Sequence, residues 1–134
     1  MKKHYKTLVH LDDKISEQLK TQEGKDIYWG SLLQESKTYD SIDLLLDSIF
    51  LQGDVIEFGV WRGHMIKRMA ATVKNAGIKK IFYACDSFEG FGNDVITTKD
   101  TSLFRSVSKL EKKFTAASDV PEKLDEFFKC FDLE

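Results

Sequence analysis

Residues 55–63, VIEFGVWRG, decide the fold of this chain. The stretch begins as a short apolar run, typical of a buried strand, and passes directly into a turn that contains Gly59 and Gly63. Apolar residues then recur at helical spacing before Gly77: Met65, Ile66, Met69, Ala70 and Val73. A second β-rich run at 81–85 ends at Asp86. Strand, glycine turn, helix and strand in this order predict a βαβ unit with parallel strands and a right-handed crossover.

Helices are predicted on both sides of this unit. Before it, Ser41 is the expected N-cap and Gly53 the expected stop of an amphipathic helix, whose apolar positions are Ile42, Leu45, Leu46, Ile49 and Phe50. After it, a helix from Ser118 carries an apolar packing stripe: Val120, Leu124, Phe127, Phe128 and Phe131. Residues 1–40 are polar and poorly periodic, with a thin helical pattern at 12–20 and an aromatic pair, Tyr28 and Trp29. We therefore divide the chain into a helical or lid segment, 1–40, and a Rossmann-like unit, 41–134.

Composition excludes several classes of protein. The 134 residues are 42% hydrophobic, which suits one globular domain, and the net charge of −2 gives no reason to expect nucleic acid or an anionic membrane as partner. No apolar run approaches the roughly 20 residues of a membrane span. Cys85 and Cys130 lack metal-ligand spacing, so two free thiols and a cytoplasmic location are expected.

The turn has a pattern suited to a nucleoside ligand. Gly59 lets the backbone turn sharply and approach a ligand, and Gly63 opens a helix N-terminus that favours an anionic group. Asp86, at the end of the second strand, can accept hydrogen bonds from both hydroxyls of a ribose. The alternative is a tight turn in which Asp86 is a helix cap, Glu57 caps or pairs locally and Trp61 stacks on its neighbour.

Three blocks of the sequence resemble one known family. EFGVWRG at 57–63, MAA at 69–71 and DSFEG at 86–90 are similar to the macrocin O-methyltransferases, TylF-like members of the class I S-adenosylmethionine-dependent methyltransferases. The likeness extends over 42–53 and 114–131. It implies an α/β, Rossmann-like fold with a short parallel sheet flanked by helices, and methyl transfer to a sugar or phenolic hydroxyl.

The resemblance also implies roles for single residues. Asp86 would hold the ribose of S-adenosylmethionine, and the other cofactor-binding residues would line the turn or border the adenine: Glu57, Gly59, Trp61, Gly63, Ser87 and Phe88. Where the family has a second glycine and a small hydroxyl residue near the methionine carboxylate, this chain has His64 and Met65. The hydroxyl is therefore lost and Met65 adds bulk, whereas the backbone N–H donors are retained.

The resemblance places the metal site, the catalytic base and most of the acceptor pocket after residue 134. We therefore expect a truncated methyltransferase fold with no catalytic or metal-binding residue of its own, and no turnover by this chain alone. Magnesium and a small-molecule hydroxyl acceptor belong to the complete enzyme. The open edge of the first strand would favour pairing with a second copy of the chain.

Two other functions are alternatives for this chain. A dinucleotide-binding oxidoreductase domain requires G-x-G-x-x-G, and residues 59–64, GVWRGH, do not match it. A non-catalytic remnant or interaction module with a Rossmann-like fold stays open, because the sequence pattern identifies a binding turn and not a reaction.

Overall fold

The computed structural model describes residues 17–89 and 119–134. These residues form a mixed α/β structure in which helices flank a two-stranded parallel sheet, which confirms the predicted fold class. In chain order the elements are α1 (Gln22–Ser36), α2 (Asp40–Ser48), β1 (Val55–Phe58), α3 (His64–Asn75), β2 (Phe82–Cys85) and α4 (Val120–Cys130). No helix in these two ranges is long and apolar enough to cross a membrane.

The sheet is the predicted βαβ unit. β1 and β2 pair in parallel, in a register that runs from Val55 opposite Phe82 to Phe58 opposite Cys85. One further bond, from Gly59 N–H to the Cys85 carbonyl at 2.9 Å, extends the ladder into the turn. Because parallel strands leave the sheet at the same edge, the segments after β1 and β2 are adjacent.

Helix α3 covers one face of the sheet, because its apolar residues recur at helical spacing. Ile66, Ala70 and Val73 are buried on it, and Gly77 with φ +74° follows its end as predicted. Helix α4 adds a buried stripe of Val120, Leu124 and Phe127. The opposite face of the sheet presents Ile56, Phe58 and Tyr83, which are exposed.

The boundaries of α2 differ from the prediction. Ser41 is not the N-cap: Tyr39 has the extended backbone of that position, so the helix begins at Asp40 and Ser41 falls inside its first turn. The helix also ends early, at Ser48, because the Leu51 N–H bonds back to the Ser48 carbonyl at 2.9 Å. Gly53 therefore lies in a later turn with φ +120°, and Phe50, predicted to face the core, is 87% exposed.

Helix α1 was not predicted, because its apolar residues do not form one clear stripe. Thr21 caps it, accepting a hydrogen bond from the Gly24 N–H at 3.0 Å. Tyr28 and Leu32 are buried in a core shared with Phe127 of α4, and Trp29 packs on Phe131 with ring centroids 4.7 Å apart. The aromatic pair therefore belongs to the core. The pattern at 12–16 and the predicted start at Ser118 lie outside the described residues.

Candidate functional site

The turn after β1 is built from left-handed backbone. Gly59, Trp61 and Gly63 have φ angles of +82°, +50° and +77°. Glycine adopts such angles freely, whereas Trp61 has a side chain for which this conformation costs about 1 kcal/mol. The neighbouring structure must therefore hold Trp61 in place.

Asp86 supplies that restraint from the end of β2. Its Oδ2 accepts a hydrogen bond from the Trp61 N–H at 2.8 Å, and its Oδ1 accepts one from the Phe88 N–H at 2.9 Å. The Trp61 N–H bond is the main cause that holds the pKa of Asp86 below its ordinary value. A carboxylate oxygen can accept more than one hydrogen bond and Asp86 is exposed, so its carboxylate is accessible to ligand hydroxyls.

Glu57 lies on β1 in the opposite environment. Burial raises the pKa of its carboxyl from 4.5 to about 7; the Ile66 N–H acts against this rise, and the charge of Asp86 adds to it. Its Oε2 atom is buried and has no hydrogen-bond partner among the described residues. The alternative, in which Glu57 caps or pairs locally, is therefore met in this part of the chain by one bond only, from the Ile66 N–H in the first turn of α3.

Gly63 has a packing role that the sequence did not reveal. It is the N-cap of α3 and makes no side-chain cap bond. A Cβ atom at this position would lie 2.6 Å from Cδ2 of Leu124. Gly63 therefore lets α4 pack directly against the start of α3.

The side chains around the start of α3 agree with the alternative in which Trp61 stacks on its neighbour. The Arg62 guanidinium lies 5.5 Å from the centroid of the Trp61 ring, and the His64 ring is 6.2 Å from it, edge to face. The sulfur of Met65 lies 3.5 Å from the Ser41 hydroxyl of α2. The bulk of Met65 is thus directed toward α2.

The segment after β2 forms a compact turn. The Ser87 hydroxyl accepts a hydrogen bond from the Glu89 N–H at 3.3 Å. Phe88 has φ +56° and is half-buried against the core beneath the turn. Their proposed contact with an adenine ring stays a prediction.

The structure brings the predicted cofactor-binding residues together where β1 and β2 end. Hydrogen bonds join the turn to the end of β2, and Glu57 and Gly63 adjoin the first turn of α3. Ser87 lies between two of these residues in the chain. The sequence did not reveal the bond from the Trp61 N–H to Asp86, because the partner of a carboxylate across two strand ends depends on tertiary structure. The bond from the Phe88 N–H is of the local, capping kind that the alternative for Asp86 expected. Among residues 17–89 and 119–134, no group of three or more His, Cys, Asp or Glu side chains could hold a metal ion.

A family model described as macrocin-O-methyltransferase (TylF) matches residues 39–134. The matched region contains α2, the turn, α3, both strands and α4, and therefore every element that forms the candidate site. No curated protein and no solved structure matches the chain.

Proposed function

Because the chain belongs to the macrocin-O-methyltransferase (TylF) family, we propose that it binds S-adenosylmethionine at the turn between β1 and α3. The family resemblance predicted from the sequence is confirmed by the match over residues 39–134. The reaction we propose is methyl transfer to a hydroxyl oxygen of a small molecule, with sugars and phenols as the acceptor classes.

One observation carries this proposal: Asp86 joins the two strand ends. Its bond to the Trp61 N–H brings the carboxylate of β2 beside the left-handed turn of β1. A ligand over this edge could place a ribose on Asp86 and an anionic group at the N-terminus of α3. The crevice at the carboxyl ends of parallel strands is where open α/β sheets bind ligands.

The residues present fit this cofactor. No atom of the described residues lies within 4 Å of where a Cβ atom of Gly59 would project, so this part of the chain leaves the backbone there open to a ligand. The half-buried carboxyl of Glu57 would accept a hydrogen bond from the cofactor's ammonium group, and Ser87 and Phe88 would border the adenine. When bound, the cofactor supplies a methyl group on a positively charged sulfur.

The part proposed for the described residues is to bind and orient the cofactor. They hold no group of three or more His, Cys, Asp or Glu side chains that could bind a metal ion. Of the two acids near the turn, Asp86 bonds two backbone N–H groups and Glu57 is half-buried against α3. Magnesium and the base that deprotonates the acceptor therefore stay expectations from the resemblance.

Pairing of two copies through β1 is a further part of the proposal. In the described residues β1 pairs with β2 alone, and Ile56 and Phe58, on the face of the sheet away from α3, are 54% and 78% exposed. Sedimentation velocity over a range of concentrations would detect a dimer. A single monomer species at all concentrations would contradict it.

Calorimetric titration with S-adenosylmethionine, S-adenosylhomocysteine and NAD tests the proposed function. We expect both sulfur nucleosides to bind and NAD not to bind. Preferred binding of NAD would favour an oxidoreductase domain, and binding of none of the three would favour an interaction module. Glu89→Gln is a matched control, because Glu89 is an exposed acid at the edge of the same site.

A further inference from the structure

Two acidic side chains stand at neighbouring strand ends and have different surroundings. Asp86 is exposed, and each of its oxygens already accepts a backbone N–H. Glu57 is half-buried, and its Oε2 atom lies out of solvent contact with no donor among the described residues. One acid is therefore stable as a carboxylate, and the other lacks a donor for the charged form.

The charged groups around Glu57 do not supply that donor. Directly after β2, Asp86 is itself negative and raises the pKa of Glu57. Helix α3 contributes the Ile66 N–H, while its cations are held elsewhere: Arg68 pairs with Glu35 and Lys67 lies over the Phe127 ring. The remaining titratable groups on the neighbouring elements are engaged with other partners or exposed: Asp40, Asp43, Arg62, His64, Asp119 and Lys123.

The position of Glu57 relative to the proposed ligand indicates what would reach it. If the ribose binds Asp86 and the ligand carboxylate binds the N-terminus of α3, the rest of the amino-acid end would lie near the end of β1. That end of S-adenosylmethionine carries an ammonium and a sulfonium, and an ammonium N–H is a donor for the half-buried carboxyl of Glu57.

We propose that Glu57 couples cofactor binding to the release of one proton, so that the positive end of the ligand converts a neutral acid into a carboxylate. This inference rests on the proposed function. The only bond broken is the carboxyl O–H bond, and its proton passes to solvent. Glu57 is thus a cofactor-binding residue that favours a positively charged ligand.

The direction of the pH effect follows from burial. Burial raises the pKa of Glu57 to about 7 in the free protein, so at lower pH the ligand must displace a proton in order to bind. Cofactor affinity should therefore be roughly tenfold weaker at pH 6 than at pH 8, since one pH unit below the pKa corresponds to a tenfold change. Asp86 does not titrate in this range, because its pKa is lowered.

Calorimetry on the full chain with S-adenosylmethionine tests the coupling. Binding is measured at pH 6, 7 and 8 in two buffers of different ionisation enthalpy, for the wild type, Glu57→Gln and the control Glu89→Gln. We expect the wild type and the control to release about half a proton at pH 7 and more at pH 6. Glu57→Gln retains His64 and the ligand's own ammonium, so the difference between the proteins isolates Glu57.

The outcomes separate this inference from the proposed function. Binding with the same proton release and pH dependence in the wild type and Glu57→Gln, or proton uptake, would overturn the coupling and leave the function intact. No binding by any protein at any pH would overturn both. Carboxyl ¹³C NMR of the wild type gives a check that needs no variant: the Glu57 signal should titrate near neutral pH and become that of a carboxylate when ligand is added.

Discussion

The ends of β1 and β2 carry the same chemical group and use it differently. Asp86 beyond β2 is exposed and spends both oxygens on backbone N–H groups, one of which belongs to the turn after β1. Glu57 within β1 is half-buried and has one oxygen without a donor among the described residues. The comparison indicates that Asp86 stabilises the backbone of the turn, whereas Glu57 has a carboxyl that a ligand could bond.

The largest effect is expected where α4 supports the turn. Gly63→Ala should lower the free energy of unfolding by about 3 kcal/mol, because it combines an unfavourable φ with a clash at Leu124. Gly59→Ala, with a similar φ and no atom of residues 17–89 or 119–134 within 4 Å of the added Cβ, should cost about 1 kcal/mol. Urea unfolding of both variants measures the difference, and equal losses would show that the contact with Leu124 is unimportant.

Removing the carboxylate of β2 should come next. Asp86→Ala loses two hydrogen bonds to a charged acceptor and should destabilise the chain by about 2 kcal/mol at pH 7. Asp86→Asn keeps one acceptor oxygen and should lose about half as much. The loss from Asp86→Ala should disappear in acid, because the lowered pKa of Asp86 means that its contribution is present above about pH 4 and lost below it. A constant loss down to pH 2 would contradict this role.

Replacing the acid of β1 should stabilise the folded chain at high pH, whereas replacing Asp86 destabilises it. The unfolded chain releases the Glu57 proton near pH 4.5 and the folded chain near pH 7. Stability present below pH 4.5 is therefore lost as the pH rises through 7. Glu57→Gln should be about 1 kcal/mol more stable than the wild type at pH 8, after allowance for partial exposure, and equal to it near pH 4. Thermal unfolding at both pH values tests this, and a variant less stable at pH 8 would show that Glu57 is a structural cap.

The smallest change in stability is expected for Glu89, an exposed acid at the edge of the candidate site. Glu89→Gln removes an exposed acid whose side chain makes no hydrogen bond in the described residues, so its stability should stay within about 0.5 kcal/mol of the wild type. Cofactor affinity should also be unchanged. A clear loss of cofactor affinity in Glu89→Gln would place Glu89 in the site.

The sequence was sufficient for the βαβ unit, because periodicity and glycines fix β1, α3 and β2 locally. It also placed Asp86 beside the turn, since parallel strands end at one edge. It was insufficient for α1, whose residues form a helix through contacts with α3 and α4, and for the cap of α2, where Tyr39 takes the place predicted for Ser41. The bond from Trp61 to Asp86 and the contact of Gly63 with Leu124 join distant segments, so no local pattern reveals them.

Carboxyl ¹³C NMR at pH 7, with and without saturating S-adenosylmethionine, tests the account most directly. We predict that the ligand moves the Glu57 signal to that of a full carboxylate and shifts the Asp86 signal without changing its ionisation, while NAD moves neither. If both signals stay unchanged with S-adenosylmethionine, the two strand ends do not form a cofactor site.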